Sequence, residues 1–468
     1  MGNRFLLLAC VLIISMGVFV VEFPNGLVAI GLVFVLSAIA IFLFRKFTKE
    51  KDFLTTVFLA GLAARMAFGL FIHVFELRSF FGGDALSYDE NGVQMVDAWM
   101  GRGQLTGLLM YQHNPQSGAG WGMNYITAGL YYVLGKNIFA AQSFCAVIGA
   151  ATAPMVFYCS KKIYNNLSVA KTAAIAIAIF PSFVIWSGQL LKDGLIIFLL
   201  VTVMTMVLQL QERFSYPALA ILIGSLFGIL SLRFYIFYMV VIAVAGSFII
   251  GRSTSTQSIL RGTLILAIMG TALMYLGVGQ SADVELRVFA NLERVQSSRL
   301  DLARSADSGF GEETDVSTTE GAMFAMPTGF AYLYFAPFPW ETANLRQAIT
   351  IPEVLLWWAT FPFLIIGIIY TVRKRLRNAL PILVFSLLLT LAYSIFQGNV
   401  GTAYRQRTQI QVFLFILIGV GWTVYREERE NKRLARAESQ RRVDMQLRGF
   451  QKQRESQQRL TGQTPNEI

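Results

Sequence analysis

Long apolar runs separated by short charged turns repeat along the chain. Runs able to cross a ~30 Å hydrocarbon layer, roughly 17 to 25 residues each as helix, occupy about 5–22, 26–44, 53–74, 138–158, 168–187, 193–210, 216–231, 235–250, 261–278, 352–371, 379–396 and 409–425. The pattern predicts an all-α polytopic membrane protein with about twelve transmembrane helices. The first run has the length of a signal peptide, but no convincing small-residue cleavage site follows it and a second run begins almost at once. It reads as a retained helix.

The polar positions between the runs set the orientation. With the N-terminus inside, the segments 45–51, 160–162, 252–261, 373–377 and the tail after 425 are cytoplasmic and net basic, and the short 211–213 turn is neutral. Segment 281–350, placed outside, holds ten acids against five arginines. That asymmetry has the sign of the positive-inside rule. Leu232-Arg233-Phe234 then forms a tight outer turn between two spans.

Two outer segments, 76–137 and 281–350, are long enough to carry function. In the first, Val93, Val96 and Met100 mark one helical face, and 125–134 is an apolar run too short to span. Both predict helices lying on the membrane surface. In the second, Val288, Leu292 and Val295 mark another helical face, and the Ser/Thr/acid-rich 305–321 is expected to be mobile. Pro337 and Pro339 exclude a regular helix from the aromatic-rich 335–341, which suits an interfacial belt.

The chain thus divides into 1–52, two N-terminal spans and a basic loop; 53–278, a transmembrane module with the outer loop 76–137; 279–351, the second outer loop; 352–425, the last spans; and 426–468, a basic tail. Up to residue 460 that tail holds eleven Lys/Arg and six acids and reads as an exposed helix near an anionic leaflet.

Composition agrees with a membrane protein: 468 residues, 55% hydrophobic and only 14% charged. A net charge of +11 would suit a nucleic-acid binder, yet the positive charge sits in short loops and the tail. No nucleic-acid partner is implied. Cys10, Cys145 and Cys159 lie in or at the ends of apolar runs, without the spacing of a disulfide framework or zinc site.

Candidate chemistry begins at residues 80–91, where Gly82-Gly83 let the chain turn as it leaves the apolar run. Asp84, Asp89 and Glu90 follow directly, with Tyr88 between them. Three acids there can be a solvated loop or an interfacial site.

Charges near hydrocarbon cost about 2.5 to 3.5 kcal/mol each on insertion scales, so they need partners or a function. Arg65 lies inside the third run, where a pairing acid on a neighbouring helix is the structural expectation. His73, near the outer end of that run, is expected to be packed or hydrogen-bonded. Lys192-Asp193, Arg233, Arg405 and Arg407 all map to the outer face. Their adjacency makes Lys192 and Asp193 an interfacial charge pair. The arginines, with planar donor forks, suit phosphate oxygens.

The order of these features resembles the GT-C superfamily of membrane glycosyltransferases, in particular the branch of protein mannosyltransferases and aminoarabinose transferases that use polyprenyl-phosphate sugars. Asp84 and Tyr88 match the spacing of that family's first-loop aspartate and tyrosine, and 187–193 matches its polar hairpin tip. The resemblance covers roughly residues 53–250. Ala85 stands where the family often has a second acid, and two additional spans precede the shared module.

The resemblance implies a polyprenyl-phosphate-linked sugar as donor and a glycan, lipid or protein as acceptor, at the outer face of a bacterial inner membrane. It casts Asp84 as general base, Tyr88, Asp89 and Glu90 as supporting residues, and Arg405, Arg407, Arg233 and Lys192 as holders of the donor phosphate. No metal is demanded, although Asp89 leaves a divalent cation possible. Two other classes compete. An O-antigen polymerase or ligase would centre on Arg405 and Arg407, whereas a transporter or flippase would place its polar residues near mid-bilayer.

Overall fold

A computed structural model of the chain describes residues 2–112, 120–250, 256–279, 291–304, 308–342 and 344–461. Backbone N–H and C=O groups in hydrocarbon must be satisfied within their own segment, which makes the apolar runs helices. α1 (Gly2–Val21), α2 (Asn25–Phe47) and α3 (Lys51–Val74) come first. α4 (Arg78–Gly82), α5 (Asp84–Trp99), α6 (Gly107–Gln112) and α7 (Gly122–Leu134) follow in the first long connection. Next are α8 (Ile138–Tyr164), α9 (Leu167–Ile179), α10 (Pro181–Ser187), α11 (Lys192–Glu212), α12 (Tyr216–Leu232), α13 (Phe234–Ile249) and α14 (Thr256–Tyr275). The chain closes with α15 (Leu292–Arg304), α16 (Thr319–Phe335), α17 (Leu345–Ala359), α18 (Phe361–Lys374), α19 (Leu376–Phe396) and α20 (Val400–Thr461).

Six of these, α2, α3, α8, α11, α19 and α20, are long and apolar enough to cross a membrane. The number is eight if the bent pairs α9–α10 and α17–α18 each make one span. The remaining predicted runs coincide with four shorter apolar helices of 10–17 residues, in α1, α12, α13 and α14. At 1.5 Å per residue those apolar stretches reach at most about 25 Å. Among the described residues, length and composition support six to eight spans, and the expected count of about twelve is not confirmed.

α8 is the centre of the bundle and packs against α2, α3, α9 and α11. Its Ala-rich surface lets neighbours approach closely, the usual device of helix contacts in lipid. At Gly149 a Cβ would fall 2.4 Å from the Ser187 side chain and 3.0 Å from Arg65 Nε. α2, by contrast, presents Phe34, Ile39 and Phe42 outward, as a lipid-facing helix does.

Arg65 is buried, and among the described residues it meets hydroxyl and carbonyl oxygens in place of the expected acid. Pro181 has no N–H and breaks the α9–α10 run with a 53° bend. The carbonyls left at that break accept from Arg65: Ala178 O at 2.9 Å and Ile177 O at 3.2 Å. Nε donates to Ser187 Oγ at 2.7 Å. A guanidinium thus replaces the lost helical donors.

Two further expectations are corrected. Gly83 has φ −53° and ψ −28°, so the chain passes from α4 into α5 in right-handed conformation without a glycine-specific turn. Of the segment 305–321, expected to be mobile, 305–307 lie outside the described residues and 308–318 are packed: Phe310 N–H donates to Gly398 O (2.8 Å), Val400 N–H to Ser308 O (3.0 Å), and Arg299 Nη1 to Thr314 O (2.8 Å). Val316 is fully buried. Residues 319–335 form α16, which packs along α19 despite an internal Pro327. At Gly329 a Cβ would meet Ser394 O at 1.7 Å, so the two backbones nearly touch.

The last predicted span and the tail are one 62-residue helix, about 93 Å long at 1.5 Å per residue. Most of its side chains are buried from Ala403 to Thr423, and those from Tyr425 to Arg454 are exposed.

Candidate functional site

Four segments meet at one end of the bundle. α11 starts there with Lys192 and Asp193, and a carboxylate in the first turn suits the partial positive charge of a helix N-terminus. The α12–α13 turn supplies Arg233, α20 supplies Arg405 from its second turn, and α5 opens with Asp84.

Arg405 joins them. Its Nη1 donates to Asp84 Oδ2 at 2.8 Å, and its Nε to Asp193 Oδ2 at 2.7 Å. Nη2 stands 2.6 Å from the same Asp193 oxygen. Arg233 Nη2 lies 3.4 Å from the other, Asp193 Oδ1. Asp193 is fully buried, whereas the Asp84 side chain is 53% exposed. One carboxylate is therefore an internal anchor and the other faces open space. The Arg405 guanidinium also lies 5.6 Å from the Trp186 ring centroid.

Two cavities meet at this pair. One, of about 660 Å³, is lined by Asp84, Tyr88, Lys192, Arg233, Tyr235 and Asp301, among others. The other, of about 910 Å³, has Arg405 in its wall with Phe80, Trp186, Arg346, Glu353 and Tyr404. Lys192 makes no hydrogen bond or ion pair among the described residues. Three cations, Lys192, Arg233 and Arg405, thus stand with three carboxylates, Asp84, Asp193 and Asp301.

The predicted residues separate accordingly. Asp84, Tyr88, Lys192, Arg233 and Arg405 come together. Tyr88 is buried, and burial together with the charge of Asp84 raises its hydroxyl above the ordinary tyrosine value, so it stays a neutral donor. Asp89, five positions and about 140° around the helix from Asp84, turns away to α7. It accepts from Tyr131 OH, and Lys136 Nζ lies 3.8 Å away. Glu90 is exposed and lines neither cavity.

Arg407 is also apart from the expected phosphate site. Two positions along a helix rotate it about 200° from Arg405, into the protein, where it is 1% exposed. Nη1 donates to Tyr334 O at 3.1 Å and Ala336 O at 3.0 Å. It satisfies the carbonyls that end α16 before Pro337. His73 is packed and bonded as expected, with Glu22 at Nε2 and Arg78 at Nδ1.

Sequence reasoning left out three acids. Asp193 was assigned only to its neighbour Lys192; an acid opening an apolar helix was the signal. Asp301 reaches the smaller cavity from α15. Glu353, buried in α17, accepts from Ser182 Oγ and from Tyr404 OH at 2.5 Å. It was visible as an acid inside the apolar run 352–371. Among the described residues no three His, Cys, Asp or Glu side chains converge on a position for a metal ion.

Fold and site together define an all-helical protein with several membrane-spanning helices and a charged junction between two cavities. No protein-family model matches the chain, and a comparison with curated proteins finds no match.

Proposed function

We propose that this protein is a membrane glycosyltransferase that moves a sugar from a polyprenyl-phosphate carrier to an acceptor hydroxyl or amine at the outer face of the membrane. The observation that carries the reading is Asp84: an open carboxylate at the meeting point of two cavities, held by Arg405 and flanked by Lys192 and Arg233. In the reaction the acceptor oxygen or nitrogen forms a bond to the anomeric carbon as the bond from that carbon to the phosphate oxygen breaks. The electron pair leaves on the phosphate, beside the cations, and the acceptor proton goes to Asp84.

Arg405 couples the two events. Its contacts to buried Asp193 keep it in place, while the Nη1 bond to Asp84 is open to competition from a phosphate oxygen. Donor binding would then release an Asp84 lone pair for the acceptor proton. Asp89, Glu90 and Arg407 have no direct part in this scheme.

The O-antigen polymerase or ligase reading draws on Arg405 in the wall of the larger cavity and needs no aspartate base. Transfer of a labelled sugar from polyprenyl phosphate in membrane vesicles tests the choice. Wild type is expected to move the label off the lipid and Asp84→Asn to leave it there. Equal transfer by both would remove Asp84 as base and favour the polymerase reading.

A further inference from the structure

α11 runs about 30 Å from Lys192 to Glu212, and at its far end lies another cavity, of about 530 Å³. Four cations from three separate segments line it: Lys49 between α2 and α3, Lys161 and Lys162 in the last turn of α8, and Arg375 between α18 and α19. The one acid in its wall, Glu212, accepts from Lys162 Nζ at 2.9 Å. Lys49, Lys161 and Arg375 form no ion pair among the described residues.

A preference for basic loops on one side of a membrane accounts for these residues being basic. It does not account for their convergence, because like charges in one cavity repel unless an anion joins them. The walls are held by other contacts: Tyr158 OH donates to Phe44 O at 3.0 Å, and Asn378 Nδ2 to Ile163 O at 3.3 Å. Leu43, Val372 and Leu376, close in sequence to the lining residues, expose apolar surface as lipid-facing side chains do.

We propose that this cavity binds the phosphate of an anionic phospholipid, whose acyl chains lie along that exposed apolar surface. A headgroup phosphate accepts from ammonium and guanidinium donors together, and basic pockets between membrane helices are suited to it. The site is independent of the sugar-transfer reading. It sits at the opposite end of α11 and shares no residue with the Asp84 junction.

The test uses the full chain, purified in detergent and stripped of lipid, with bound lipid counted by native mass spectrometry. Dioleoylphosphatidylglycerol should be retained in preference to dioleoylphosphatidylcholine. Lys161→Gln with Arg375→Gln should weaken that retention about tenfold or more. The pair Lys161→Arg with Arg375→Lys should keep it, as should Lys432→Gln with Arg433→Gln in the tail. Glycerol 1-phosphate should fail to displace the lipid; displacement at matched concentration would assign the site to a water-soluble phosphate and overturn the lipid occupant. Equal retention of the two lipids by wild type, or of phosphatidylglycerol by wild type and an equally monodisperse glutamine pair, would overturn the site. Wild-type selectivity decides the matter even if the glutamine pair does not fold.

Discussion

Arg405 Nη1 donates to Asp84 Oδ2 across 2.8 Å and 321 positions of sequence. The bond ties a helix within the first long connection to the last membrane helix, and the same guanidinium holds a buried carboxylate, Asp193. One side of this cation is structural and the other is available to a ligand.

Asp84→Asn is expected to abolish sugar transfer in a folded protein. Losing a general base lowers rate about 10² to 10⁴-fold, read as label remaining on the carrier lipid. Glu90→Gln, on an exposed side chain, should retain wild-type transfer. Asp89→Asn should retain measurable transfer while loosening the α5–α7 contact through Tyr131. Equal loss in all three variants would count against a specific role for Asp84.

Arg405→Ala should destabilise the protein. It leaves Asp193 as a buried charge short of its main partner, at a cost of about 3 to 5 kcal/mol. Asp193→Asn in the same chain should recover part of the loss in apparent Tm, measured in detergent. Arg405→Lys should keep more of the fold than Arg405→Ala yet use the donor poorly, because an ammonium cannot bridge two carboxylates with a planar fork. Additive effects in the Arg405/Asp193 double-mutant cycle would refute their coupling.

Arg407→Ala is predicted to differ from Arg405→Ala in kind. It strips a donor from Tyr334 O and Ala336 O, which at about 1 to 3 kcal/mol per unsatisfied buried group lowers stability. Donor affinity of the folded fraction should stay unchanged. A rise in donor KM at unchanged Tm would place Arg407 in the phosphate site after all.

Arg65→Met tests the repair at the α9–α10 break. The apolar replacement leaves the carbonyls of Ile177 and Ala178 without their donor, and apparent Tm should fall as for other buried unsatisfied groups. Arg65→Lys should fall less. A wild-type Tm for Arg65→Met would show that the break needs no such donor.

Orientation is tested by cysteine labelling in a Cys10→Ser background, since Cys145 and Cys159 are buried. Glu313→Cys and Arg377→Cys are both at exposed positions. An impermeant maleimide added to intact cells should label the first and reach the second only after permeabilisation. The reverse result would invert the topology and put the Asp84 junction on the cytoplasmic side.

The apolar runs, the all-helical architecture and the exposed tail helix were legible from sequence alone, because transfer from water to hydrocarbon is a sum over neighbouring residues. So was the gathering of Asp84, Lys192, Arg233 and Arg405 at one end, since each lies at a run boundary on the same side. Tertiary structure decided the rest. Helix rotation faced Arg405 toward the cavity junction and Arg407 toward two carbonyls, a choice no hydropathy sum contains. The proline break decided that Arg65 would meet carbonyls instead of an acid. Packing on the start of α20 ordered a Ser-rich, acidic segment whose composition favours disorder. Which charges meet depends on helices docking across hundreds of residues; that docking, and no local pattern, made Asp193 the buried anchor of the site.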